Sequence, residues 1–187
     1  MKTGLLMIDI QNDYFKGGAY ELFNAEETAE KARMVLDVFR KNKMPVFFIQ
    51  HISPVENAPL FAPRSNGIEF YKDVLPNENE IKIVKHTPDS FFNTKLLKEL
   101  KHNHVDHLVI CGMMTHMCID TTVRSAVNHG FKVTLIEDAC TTRDLPWKNT
   151  VIKAQVIHDS FMAALGSAFA EIKSTDKLCR EMREEEN

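Results

Sequence analysis

The sequence predicts an α/β domain of three layers, with helices covering both faces of a mostly parallel sheet. Three observations carry this expectation. Short apolar runs rich in β-branched residues recur along the chain, segments of helical period separate them, and the alternation continues to the end. A chain of 187 residues with 44% hydrophobic content can fill one core, so a single domain spanning 1–187 is expected.

The first run, Leu5–Ile10, is continuously apolar up to Asp9, as suits a strand buried on both faces. Ala25–Lys41 follows, with Ala29, Ala32, Val35, Val38 and Phe39 at helical spacing. Pro45–Gln50 is the second strand and Ile81–Lys85 the third. Asn93, before Thr94-Lys95-Leu96-Leu97, is read as the cap of a helix. His107–Cys111 is the fourth strand, and the stripe Ile119, Thr122, Val123, Ala126, Val127 marks a helix over Ile119–His129 that Gly130 stops. Lys132–Ile136 is the fifth strand. His158 lies on an apolar stripe with Ala154, Phe161, Met162 and Leu165, which makes it a packed or interface histidine. Ala168–Ile172 is the last strand, and Ser174 opens a charged C-terminal helix. Strands alternating with helices imply right-handed crossovers, as in doubly wound folds.

The longest stretch without clear period, His51 to about Asn79, holds Pro54, Pro59, Pro63, Pro76 and Gly67. It follows a strand, so it is expected over the carboxyl ends of the sheet as part of a pocket wall.

Composition excludes several classes of function. A formal net charge of -3 offers no basic field for nucleic acid or an anionic membrane, leaving small molecules or other proteins as partners. The N-terminal apolar run is ended by Asp9 before it can serve as a signal or a membrane span, so a cytoplasmic protein is expected. Neither a G-x-G-x-x-G nor a P-loop sequence supports NAD or ATP binding. Cys111, Cys118, Cys140 and Cys179 show no C-x-x-C spacing and are read as reduced thiols; Cys111 and Cys179 suit buried packing.

In open parallel sheets the ligand site lies outside the carboxyl ends of the strands. Asp9 ends the first strand, Lys85 ends the third, and Cys118 follows the fourth, so a carboxylate, an ammonium and a thiol reach one edge of the sheet. Cys118 at a helix start is expected to have a lowered pKa. Asp9 can accept its proton, Lys85 can favour the thiolate, and the amides of Met114 and Cys118 can form an oxyanion hole. Each has a plainer reading: a turn-capping Asp beside Asn12 and Asp13, a solvated Lys, a buried Cys.

The segment GMMTHMCIDTTVRSAVNHGFKV resembles the isochorismatase-like cysteine hydrolase signature through Gly112, Thr115, Cys118, Thr122, Arg124, Ala126, Gly130 and Val133. LLMIDIQNDYF is similar to the same family's D-x-Q-x-x-F element through Asp9, Gln11 and Phe15 or Tyr14. Its K-x-x-x-S-x-F-x-x-T-x-L element is matched by Lys85, Ser90, Phe92, Thr94 and Leu96, and EDAC matches the segment after the fifth strand. The resemblance implies a six-stranded parallel sheet, an Asp-Lys-Cys triad, and a cis peptide between Met113 and Met114.

Departures narrow the reading. The family's metal-dependent nicotinamidases carry a D-x-H…H cluster after the second strand, where this chain has His51 alone, so no metal and no cofactor are expected. Isochorismatases proper lack the nucleophilic cysteine, so Cys118 favours covalent acyl transfer on a small amide or ureido substrate. Phe15, Phe91, His116 and Met117 are the candidate substrate contacts, with Tyr14 and Phe92 as alternatives to the two Phe residues. Arg124, one turn past Asp120, is read as a surface ion pair or an anchor at a subunit contact. His102, His104 and His107 fall at the wrong end of the sheet for the site. Apolar helix faces and the resemblance favour a homo-oligomer. A rival of another class is a non-catalytic ligand-binding or redox-sensing protein on the same fold.

Overall fold

The computed structural model describes residues 2–184. Six parallel strands form the main sheet: β1 (Thr3–Ile8), β2 (Val46–His51), β3 (Ile81–Lys85), β4 (His107–Met113), β5 (Lys132–Thr141) and, after a short hairpin, β8 (Glu171–Lys173). The hairpin pairs β6 (Leu145–Trp147) with β7 (Thr150–Ile152), two elements with no counterpart in the sequence reading. The helices are α1 (Ala25–Lys41), α2 (Leu96–His102), α3 (Asp120–Asn128), α4 (Ala154–Ala168) and α5 (Thr175–Glu184). The α/β expectation holds, and α1 and β3 match their expected bounds.

Strand alternation divides the core in two. Leu5 and Met7 of β1 join Ala29, Ala32, Val35, Leu36 and Phe39 of α1 and Leu178 of α5 on one face. Leu6 and Ile8 join Leu96 and Leu100 of α2, Val123 and Ala126 of α3, and Met162 and Leu165 of α4 on the other. Buried strands with both faces covered therefore read as continuous apolar runs.

The strand order is β3-β2-β1-β4-β5-β8. The chain winds outward in one direction through β2 and β3, then returns to place β4 on the other side of β1, so the topological switch lies between β1 and β4. Asp9 follows the first of these strands and Cys118 the second. Gly112, near the end of β4, has φ +134 and lies so close to β1 that a Cβ there would meet the Ile8 carbonyl oxygen at 2.0 Å. The β4–β5 register shifts at the same point, between Ile110 and Gly112.

Several expectations shift. β1 stops at Ile8, and Asp9 follows in a left-handed conformation (φ 53). β5 runs on through Thr141, so Asp138 and Ala139 lie inside the strand rather than after it. Asp138 Oδ1 there accepts hydrogen bonds from the Thr175 N–H and Oγ1, fixing the start of α5 just after Ser174. Ala168 closes α4, and the last strand starts at Glu171. Asn93 is no cap: it has φ 54, and it is Thr94 Oγ1 that accepts the Leu96 N–H at 3.2 Å. Gly130 ends α3 as expected, at φ +89. Among the described residues no helix is long and apolar enough to cross a membrane.

Candidate active site

The end of β1 delivers Asp9. Its N–H donates to the Ile49 carbonyl at 3.1 Å, and the left-handed turn carries its side chain, fully buried, to the switch point. Lys85 arrives from the edge strand β3, whose two-residue period places Ile83 and Lys85 inward and Lys82 and Val84 outward. A lysine at a strand end is ordinarily solvated; this one is buried because the sheet edge is covered on that face. Its Nζ lies 2.8 Å from Asp9 Oδ2 and donates to the carbonyls of Thr87 and Pro88 at 3.1 and 3.2 Å. The segment bearing those carbonyls is tied to α3: Thr122 Oγ1 accepts the Ser90 N–H at 3.1 Å and lies 2.9 Å from Ser90 Oγ. Ser90 and Thr122 thus hold the lysine's cradle rather than touch the chemistry.

Cys118 does not open the α-helix. It sits in a π-helical turn over Thr115–Ile119, ahead of α3, with the cis peptide Met113–Met114 just before it. Met114 O accepts N–H groups from Met117 and Ile119 at 3.0 and 3.2 Å. The Met114 N–H donates to no backbone carbonyl among the described residues. Such irregular turns are common at functional sites because they free backbone donors that a regular helix consumes. The turn is braced by Thr115 Oγ1, 2.9 Å from His158 Nδ1 on α4, so His158 packs as expected.

The Cys118 thiol lies within hydrogen-bonding reach of both the Asp9 carboxylate and the Lys85 ammonium. Neither Asp9 oxygen accepts a well-directed hydrogen bond among the described residues. The 2.8 Å approach of Lys85 is therefore a charge contact, and the carboxylate keeps its acceptor capacity for the thiol proton.

Burial pushes the Cys118 thiol well above its usual range, with Asp9 adding to the rise and Lys85 opposing it. This corrects the expected lowering: the cost of burying a thiolate exceeds the help from nearby backbone donors. Burial alone would lower Lys85, but Asp9 and Cys118 override it and hold the ammonium above its usual value. The resting site thus pairs a protonated thiol with an ion pair. Cys111, inside β4, is pushed up to about 12 by burial alone.

His51, treated as isolated from the sequence, belongs to this group. It ends β2 directly opposite Lys85 in register. Its Nδ1 lies 3.5 Å from Lys85 Nζ, 3.9 Å from Asp9 Oδ2 and 4.0 Å from Cys118 Sγ. The rule that singled out Asp9 and Lys85, a polar residue ending a strand, also selects His51. Asp9, His51 and Cys118 offer donor atoms within 4.8 Å of one another, types that can hold zinc. However, the Lys85 ammonium already supplies the positive charge there and would repel a divalent cation at that range.

The candidate substrate contacts separate. His116 is half-buried with Nδ1 against Thr142 Oγ1, and Met117 is exposed beside it, so both border the nucleophile's turn. Phe15 stacks on Tyr71, whereas Tyr14 feels the field of Cys118 and Asp9 and packs edge-on against Phe61. Tyr14 packs toward the triad through Phe61, whose ring leans on His51. Phe91 packs on His129 and Phe131 at the far end of α3, and Phe92 is exposed. The 51–79 stretch is irregular as expected and docks on the segment after β1. Asp13 Oδ2 accepts the Phe61 N–H at 2.6 Å, and the Phe61 ring leans on His51. Arg124 pairs with Asp120 at 2.9 Å. A separate cleft of about 400 Å³, lined by Glu137, Asp138, His158 and Asp159 among others, contains none of Asp9, Lys85 and Cys118.

Comparison with known proteins agrees with the fold. The Isochorismatase domain matches residues 3–172. YddQ of Bacillus subtilis, described as an uncharacterized isochorismatase family protein, is 48% identical over 180 residues, covering 96% of this chain and 100% of that one. A streptothricin hydrolase of Streptomyces noursei is 31% identical over 176 residues, 93% of this chain and 60% of that protein. The crystal structure of an isochorismatase from Pseudomonas putida superimposes with a TM-score of 0.88 at 35% identity, covering 94% of this chain and 89% of that one. With a domain match that spans most of its length, the chain belongs to the isochorismatase family.

Proposed function

We propose that this protein is a cysteine amidohydrolase that cleaves a C–N bond of a small amide or ureido compound through a thioester on Cys118. The observation that carries the reading is the wholly buried Asp9–Lys85 pair, 2.8 Å apart, with the Cys118 thiol in reach of both. A binding protein has no need of a buried charge pair beside a thiol, and burying such a pair can cost stability that only a function would justify. A redox sensor needs an exposed, low-pKa thiolate. Cys118 is buried and its thiol is held protonated.

In this reading the thiol passes its proton to Asp9 as sulfur attacks the carbonyl carbon. Lys85 stabilises the thiolate as it forms, and the N–H groups of Met114 and Cys118 take up the charge on the carbonyl oxygen. The tetrahedral adduct collapses, the C–N bond breaks, and the nitrogen leaves as ammonia or an amine carrying the proton from Asp9. Water then hydrolyses the thioester. His116, Met117 and Tyr14 border the acyl group. The streptothricin hydrolase relative supports hydrolysis as the reaction class. Exposed Trp147, Val151 and Val156 on the hairpin and α4 supply an apolar surface for a homo-oligomer, for which light scattering in solution is the check.

The test is ammonia release by the wild type and Cys118→Ser across a panel of small amides, ureido acids and nicotinamide. Release lost in the variant supports the mechanism. Release that persists in it overturns the role of Cys118.

A further inference from the structure

Acylation as proposed employs Cys118, Asp9 and Lys85 and leaves His51 without a task. Yet His51 is held with care. Buried Gln11 clamps its backbone from both sides: Gln11 Oε1 accepts the His51 N–H at 2.7 Å, and Gln11 Nε2 donates to the His51 carbonyl at 2.9 Å. The same amide nitrogen donates to Ile68 O at 2.8 Å, so the clamp is itself anchored to the covering loop. Phe61 limits the tilt of the ring. Nδ1 is thereby fixed 4.0 Å from Cys118 Sγ.

Access separates His51 from the other two partners. The side chains of Asp9 and Lys85 are 0% exposed, whereas that of His51 is 18% exposed. Beside an acylated Cys118, Asp9 is fully buried, whereas His51 is the partly exposed neighbour of the sulfur and the one within reach of an incoming water. The ring is suited to act as a base. Lys85, a donor only, stands 3.5 Å from Nδ1, and its positive charge favours the tautomer with the lone pair on Nδ1 and the hydrogen on Nε2. Burial holds its pKa below the usual histidine value; Asp9 opposes this, and Lys85 and His86 add to it. The groups that face it from neighbouring elements are Asp9 after β1, Lys85 and His86 at the end of β3, and Cys118 after β4.

We propose that His51 is a second general base, which takes a proton from the hydrolytic water as that water attacks the thioester on Cys118. The new bond joins the water oxygen to the carbonyl carbon, and the water proton moves to Nδ1. The C–S bond then breaks with its electron pair going to Sγ, and Nδ1 returns the proton to sulfur. The carboxylic acid leaves with both charge and atoms balanced. Asp9 serves the acylation half and His51 the deacylation half, an assignment that rests on Cys118 forming a thioester.

The experiment follows p-nitrophenyl acetate, an activated acyl donor, with the wild type, His51→Ala, His51→Gln and Cys118→Ser. In both His51 variants a burst of about one p-nitrophenol per enzyme persists, and steady turnover falls by roughly 10²-fold or more, the range for loss of a general base. The acetyl adduct accumulates on Cys118 by mass spectrometry, and added imidazole restores turnover in His51→Ala. His51→Gln keeps a polar group beside Lys85 but cannot accept the proton, so it separates a base from a mere spacer. Turnover retained in His51→Gln, or burst and turnover falling together without imidazole rescue, overturns the role of His51 while leaving Cys118 as nucleophile. An adduct that never forms on Cys118 in any variant overturns both.

Discussion

Lys85 Nζ lies 2.8 Å from Asp9 Oδ2 with both side chains excluded from solvent. Two charges removed from water each carry a desolvation penalty that only their mutual attraction and the Thr87 and Pro88 carbonyls offset. Lys85→Met leaves Asp9 as an uncompensated buried charge, so denaturant unfolding is expected to show a loss of about 3–5 kcal/mol. The double variant Asp9→Asn, Lys85→Met removes both charges and is expected to regain most of that stability while remaining inactive. A double variant no more stable than Lys85→Met would show that the pair's charge is not what holds the region together.

Because Asp9 raises the Cys118 pKa and Lys85 lowers it, charge and reactivity part company. Asp9→Asn is expected to increase the thiolate fraction near neutral pH, so iodoacetamide labels Cys118 about tenfold faster for each pH unit by which the thiol is lowered. Amide hydrolysis falls in the same variant, since the proton acceptor is gone. Slower labelling in Asp9→Asn would contradict the electrostatics.

Gly112 has no room for a side chain. With a Cβ meeting Ile8 O at 2.0 Å, and φ at +134, Gly112→Ala must push β4 away from β1 at the point where both strands feed the site. A stability loss of about 3 kcal/mol is expected from the steric and backbone terms together. Activity should drop further than the folded fraction alone explains, as circular dichroism and turnover measured on one sample would reveal.

Alkaline pH tests the buried thiols. Cys111 titrates at 9.0 when free and at about 12 in the fold, because burial penalises its thiolate. The folded state therefore binds more protons than the unfolded one between those values. Its contribution is complete below pH 9.0 and is lost as pH rises toward about 12. Cys111→Ala is expected to flatten the fall of unfolding free energy in that window by about 1.4 kcal/mol per pH unit. Cys118, Cys140 and Tyr14 are also raised by burial, so a residual slope remains.

Much of the fold is written locally. Apolar runs, the α1 stripe and Gly130 report themselves because burial on both sheet faces and helical period act within a few residues. The hairpin of β6 and β7 escaped because Leu145-Pro146-Trp147 and Thr150-Val151-Ile152 are too short and too exposed to carry a pattern. The bounds of β5 and β8 depended on neighbours: pairing with β4 draws β5 on to Thr141, and Ala168 stays helical because α4 continues to it.

The sequence by itself determined the three-layer α/β architecture and the delivery of Asp9, Lys85 and Cys118 to the strand ends. Those follow from periodicity, topology rules and residue chemistry. Only the tertiary structure decided how these groups behave. Cys118 is protonated rather than ionised because desolvation is a property of the whole surrounding core. Tyr14 comes next to the His51 side of the site because the 51–79 stretch docks there and sets Phe61 between them. His51 joins the site because parallel pairing sets it opposite Lys85, a partner 34 residues away in the chain.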